Sequence, residues 1–257
     1  MKNFYSAVLA VLFIIAVSLS GTSCKKEQKA AVPPTPPPTP EQQAKVEEMK
    51  KEARQSTEQA KTIIVAQVNG VDITMLDLIN EMNTIAQREE ARGRKEKNDK
   101  TMEQDKNEAL DNLIFKELAI QEAIKQGIKV SPERVDNIIK LMKEQGGSKE
   151  AFKKYLDEHQ ITEADLRKRI ERSQLFEMIT GEEVYQKVKL DDKDIRAYYD
   201  KHKSELKDNS GKRLTYEESA NFIRRKLISE KGAVLKKEWA KKMRNNASVV
   251  VFKEAMK

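Results

Sequence analysis

Residues 108–179 read EALDNLIFKELAIQEAIKQGIKVSPERVDNIIKLMKEQGGSKEAFKKYLDEHQITEADLRKRIERSQLFEMI, and their pattern decides the fold. Apolar residues recur there at three- and four-residue spacing in successive blocks, each with its own start or stop signal. The first block, residues 103–126, brings Leu110, Leu113, Ile114, Leu118 and Ile124 towards one face, and Gly127 closes it. Ser131 with Pro132 supplies a cap and a first-turn proline for a second helix, striped by Val135, Ile138, Ile139 and Met142. Gly146-Gly147 ends it. Ser148 then caps a short helix with Phe152, Tyr155 and Leu156. Thr162 and Asp165 form a capping box for a long helix through Leu166, Ile170, Phe176, Ile179 and Val184.

The flanks extend the series. Towards the N-terminus, TIIVAQVNGVDIT (residues 62–74) places Asn69-Gly70 between two short β-branched runs, the strongest local signal for a hairpin. Thr74 caps a helix carrying Leu76, Ile79, Met82 and Ile85. Residues 88–106 follow with seven basic and six acidic side chains, as a solvated helix end or a mobile loop. Towards the C-terminus, Asp191 starts a helix with Ile195, Tyr198 and Tyr199. Thr215 and Glu218 box the last helix, striped by Phe222, Ile223, Leu227, Val234, Trp239 and Met243, and residues 248–252, SVVVF, are a strand. An isolated hairpin is marginal, so this final strand is expected to pair with residues 64–68. The expected fold is mainly α: an elongated helical domain over residues 62–257, with helices at 74–206, a closing helix and strand at 215–252, and a small β element.

Composition agrees and excludes some chemistry. Of 257 residues 35% are charged, 5% aromatic and nine are Gly, which suits long solvated helices. Cys24, His159 and His202 are all the Cys and His the chain has, too few and too scattered for a zinc or disulfide framework, so no metal or redox cofactor is expected. The net charge of +7 is local. Residues 201–257 hold 16 basic and 7 acidic side chains, against 33 and 35 in the rest. The basic residues of the last helix either solvate it or attract anionic clients and lipid headgroups.

Residues 1–23 carry Lys2, an eleven-residue apolar run at 7–17 and a small polar stretch, SLSGTS. This is the order of a secretory signal, and the run is well short of the roughly 20 residues a membrane-spanning helix needs. A signal followed at once by a lone cysteine resembles a bacterial lipoprotein, which implies lipidation of Cys24; Gly21 stands where such signals usually have Leu. An uncleaved anchor and ordinary cleavage are the alternatives. Export argues against nucleic acid as a partner. Six of the seven prolines fall in residues 33–40, a polyproline-type stalk, and residues 24–61 as a whole read as a Pro-rich and charged linker whose 41–61 part is a frayed helix or plain linker.

Taken in order, VAQVNGVDITMLDL (65–78), the helical stretch quoted above and VKLDDKDIRAYYDKHKSEL (188–206) resemble the N-terminal domain of the SurA- and PrsA-type extracytoplasmic chaperones, related to the trigger-factor module. The last helix and strand share the resemblance. Most relatives carry a parvulin prolyl-isomerase domain before the last helix; here residues 206–214 leave room only for a loop, with no paired His. The resemblance therefore implies a non-enzymatic holdase without nucleotide, binding unfolded envelope proteins on exposed apolar and aromatic side chains. Candidates are Met82, Phe115, Met142, Phe152, Tyr155, Phe176 and Met178, although a Met or aromatic residue on an apolar stripe is more often core. The expected location is the periplasm, with a lipid on Cys24 in the outer membrane or, alternatively, the inner one. A scaffold lipoprotein with one dedicated envelope partner is the competing reading, and a prolyl isomerase a more distant one.

Overall fold

A computed structural model describes residues 39–94 and 98–256. The signal, Cys24 and most of the proline tract lie outside these residues. Among the described residues there are eight α-helices and three strands. The order is α1 (Pro40–Thr62), β1 (Ile64–Val68), β2 (Val71–Thr74), α2 (Met75–Ala91), α3 (Asp99–Lys125), α4 (Pro132–Gln145), α5 (Lys149–Glu158), α6 (Glu163–Glu183), α7 (Asp192–His202), α8 (Tyr216–Asn245) and β3 (Val249–Val251). Of the residues read as linker or frayed helix, Pro40–Thr62 form α1.

Every start signal read from the sequence caps a helix. Thr74, Ser131, Ser148, Thr162, Asp191 and Thr215 each accept a backbone N–H from the first turn. At Thr74, Thr162, Asp191 and Thr215 the residue three places on returns the bond, which satisfies two of the N–H groups a helix start leaves open. Gly127, at φ 76°, ends α3 in the left-handed region that side chains with a Cβ avoid.

The chain packs as two compact units, Met1–Ile114 with Val249–Lys257, and Phe115–Ser248; residues 62–257, read as one domain, contribute to both. The first unit is built on a sheet of order β2-β1-β3, antiparallel throughout. Asn69 and Gly70, at φ 50° and 85°, make the two-residue turn of its hairpin, and β3 pairs with β1 from Ala66↔Val251 to Val68↔Val249. Val65, Ala66, Val68 and Ile73 are buried with Met75, Leu78, Ile79, Met82 and Ile85 of α2. Leu76, placed on the buried stripe by its spacing, is half-buried, and Met75 and Leu78 take the core positions. The charged stretch is not simply solvated: Arg94 grips the buried Asp105 through two bonds, 3.0 and 2.6 Å, and Arg88 pairs with Glu108 at 2.7 Å. The carboxylate in turn raises the Arg94 guanidinium above its ordinary pKa.

In the second unit one core cluster joins Ala119, Ile120 and Ala123 of α3 to Leu175 and Ile179 of α6. A second joins α4, α5 and α6 through Val135, Ile139, Phe152, Leu166 and Ile170. Helices α7 and α8 pack along each other, each burying an isoleucine, Ile195 and Ile223. Three stripe assignments fail. Ile124, Phe222 and Val234 are exposed, because α3 and α8 are long and only part of each apolar stripe meets a neighbour.

Candidate functional site

Helices α4, α5 and α6 share one core cluster and line a depression in the second unit. Ser131 and Pro132 start α4, Ser148 starts α5 one turn beyond the end of α4, and Thr162 starts α6. These short connections force the three helices to share one apolar centre, against which Met142, Tyr155, Leu156 and Ile161 are packed half-buried. Beside it lies a depression of about 330 Å³ with Ile139 at its apolar floor. Its rim carries charges of both signs. Lys143 pairs with Glu163 at 3.2 Å and lies 4.7 Å above the Phe152 ring, Arg167 pairs with Asp136, and Lys140 reaches Glu144 at 3.9 Å. Leu141, on the same helix, is 53% exposed.

Such a surface offers apolar contact with charges of both signs around it, and long Lys stems extend the apolar area. The titration shifts nearby belong to helix starts: the Thr162 hydroxyl, then its backbone N–H, holds the Asp165 carboxyl below the ordinary carboxylate range. Among the described residues no group of Asp, Glu, His or Cys is arranged to hold a metal ion.

The candidates named from the sequence fall in three places. Met142, Phe152 and Tyr155 come together in the α4–α6 cluster, with Phe152 buried. Phe115 and Phe176 meet in the other cluster of this unit, edge to face at 5.7 Å, and Trp239 adds a second such contact to Phe115 at 5.5 Å. The Lys236 ammonium lies 4.9 Å from the Phe115 ring. Phe115 is buried, Phe176 and Met178 are half-buried on α6, and Met82 is buried in the first unit. Leu141 escaped the sequence reading because it lies off the Val135–Met142 stripe, and that offset is the only signal that marks it. Both histidines serve locally. The His159 ring lies tilted against Tyr155 at 4.2 Å, and His202 stacks on Tyr198 at 4.3 Å.

The basic surplus of α8 is partly consumed by α7. Arg224 pairs with Asp192 at 2.8 Å and Lys231 with Asp194 at 2.7 Å, while Arg225, Lys237, Lys241 and Lys242 are exposed without an ion pair among the described residues. Between α7 and α8 the chain makes a compact loop. A Lys207↔Arg213 bridge closes it, Asp208 accepts N–H bonds from Ser210 and Lys212, and the Tyr199 hydroxyl donates to the Leu214 carbonyl at 3.1 Å.

Residues 46–180, from within α1 to near the end of α6, match the SurA-like N-terminal domain. The chain belongs to the SurA-like N-terminal domain family. Helices α4 and α5, and α6 as far as residue 180, lie inside the matched region. Among solved structures the chain is similar to one from the pair PEB4, a virulence factor, and Cj1289, a periplasmic protein, two structurally related SurA-like chaperones of Campylobacter jejuni. That similarity has 14% identity and a TM-score of 0.46, over 74% of this chain and 99% of the other. No curated protein matches. The architecture is mainly α with one small antiparallel sheet.

Proposed function

We propose that the protein is an ATP-independent holdase of the periplasm, which binds unfolded exported or outer-membrane proteins and is held at the outer membrane by a lipid on Cys24. The observation that carries this reading is that the family match, residues 46–180, includes every residue lining the α4–α5–α6 depression, with its buried Ile139 and paired charges. Physically, an apolar patch on a rigid frame captures unfolded chains without sequence preference, and a rim bearing both charges repels neither acidic nor basic clients. No helix among the described residues is long and apolar enough to cross a membrane, which is compatible with attachment through the N-terminal segment. The compact loop between α7 and α8 supports binding without prolyl isomerisation. Light scattering of two unrelated unfolded proteins diluted into buffer with the purified protein tests the reading. Scattering should fall with near-equimolar protein; unchanged scattering at a several-fold excess would sink it.

A further inference from the structure

The sheet of the first unit ends in β3, an edge strand with no partner on its outer side among the described residues, and we infer that this edge is a second client site: β3 takes an extended apolar segment of an unfolded polypeptide as an added strand. The inference rests on the holdase reading and names a chemistry for part of its clients, namely backbone amides in extended form with apolar side chains at alternate positions.

The register determines which groups are available. The Phe252 N–H donates to the Val65 carbonyl at 2.9 Å, so Val65 and Phe252 are a hydrogen-bonded pair. Counting back along the ladder, Gln67↔Val250 is the next such pair, and Ala66↔Val251 and Val68↔Val249 are the non-bonded ones. The hairpin turn agrees, since a two-residue turn makes Val68↔Val71 a bonded pair and so turns the Val68 amide towards β2. The N–H and C=O groups of Val249 and Val251 therefore point away from β1, and no described residue bonds them.

Side chains complete the site. Val250 and Phe252, two residues apart and so on one face, are 46% and 42% exposed. A strand added beside β3 would set its own alternate side chains against them. Natural edges are blunted by shortness, a lysine, a proline, a bulge, an inward charge or a covering element, and β3 has the first of these in its three residues but no lysine, proline or inward charge within them. The opposite edge strand, β2, carries Asp72 and has α1 packed against it. The three residues of β3 are all valine.

A second copy of this chain is the competing occupant, and the length of the edge argues against it. A stable interface buries on the order of 1,200 Å² or more, far beyond what three residues of strand supply, whereas a short, reversible backbone contact suits a chaperone that must release its client.

The test uses the purified full chain and a fluorescein-labelled peptide of alternating Val and Thr between terminal lysines, with a copy N-methylated on alternate amides. Amide exchange and fluorescence anisotropy are read together. Saturating peptide should slow exchange at Val249 and Val251 at least tenfold and leave Val250 and Phe252, already bonded to β1, unchanged. The N-methylated copy should bind at least tenfold more weakly. Val250→Lys should lose peptide affinity by a similar factor and Val250→Thr retain it; Val249→Pro, which removes an outward N–H and spares the β1 ladder, gives an independent check. Equal binding of the two peptides, or exchange at Val249 and Val251 that the peptide leaves unchanged, overturns the inference even where aggregation is still suppressed, so the holdase reading then stands alone. Protection of the same amides by raised protein concentration without peptide, with a doubled sedimenting mass, also overturns it and assigns the edge to a second copy. Peptide protection in a protein that suppresses no aggregation supports the edge site and removes the holdase.

Discussion

Replacing Phe115 by alanine separates core from client surface most sharply, because the residue suits either role by type. Phe115 is 6% exposed and sits between the rings of Phe176 and Trp239, both edge to face. Truncating a buried phenylalanine costs about 3–5 kcal/mol through lost burial and the cavity left behind. The two ring contacts are part of that total, about 0.5–1.5 kcal/mol each. Phe115→Leu, which keeps most of the apolar volume, should then cost about 1–3 kcal/mol, mainly those contacts. Domains of this size hold about 5–15 kcal/mol in all, so the alanine variant still folds but loses a large share. The assay is built in: Trp239 is the only tryptophan in the chain and lies against Phe115, so its fluorescence reports this cluster during urea unfolding. With urea slopes of about 1–3 kcal/mol per molar, the alanine midpoint should fall by at least about 1 M. A midpoint within about 0.3 M of the parent, together with weaker client capture, would refute the reasoning and return Phe115 to the binding surface.

Glu117, a buried carboxylate, accepts from Gln121 at 2.7 Å and from Arg172. Arg172→Met should cost about 1–3 kcal/mol in urea unfolding, less than a fully buried pair because the arginine is half exposed, and adding Glu117→Gln should recover part of the loss. Asp194 is held below the ordinary carboxylate pKa, first by the Lys231 ammonium and then by the Asp191 backbone N–H. A depressed pKa gives stability that is complete above the unfolded value, about 3.9, and lost as pH falls through the lower, folded value. Asp194→Asn should therefore destabilise most at pH 6–7 and converge with the parent in strong acid, as read by thermal melts across that range. Cys24→Ser should abolish incorporation of labelled fatty acid and release the protein from the membrane fraction; retention of both would contradict lipid attachment at this residue.

Much of the fold was legible because its signals are local. A cap such as Thr162 acts on an N–H three residues away, and Asn69-Gly70 dictates its own turn, so neither needs knowledge of the tertiary structure. Pairing of β3 with the hairpin was also accessible, since an isolated hairpin needs a third strand. What escaped depends on neighbours. Phe222 and Val234 keep helical spacing on α8 yet face solvent, because spacing says which residues share a face and not whether another element covers it. The Arg94–Asp105 grip joins two residues in a stretch that reads as uniformly charged. For the candidate site the same limit applied in reverse. The sequence singles out Met and aromatic residues on the stripes, several of which the structure buries, whereas Leu141 and Val250 are exposed because they lie opposite the packed side of their elements.

The central claim, that the α4–α5–α6 surface holds unfolded clients, is tested most directly by photocrosslinking. A benzoylphenylalanine is placed at Lys140, exposed on the rim of the depression, in one sample and at Val234, exposed on α8, in another, and each is irradiated with an unfolded outer-membrane β-barrel protein. Adducts from Lys140 that exceed those from Val234 severalfold, and that an excess of a second unfolded protein competes away, are the predicted result. Equal yields from both positions would contradict the account.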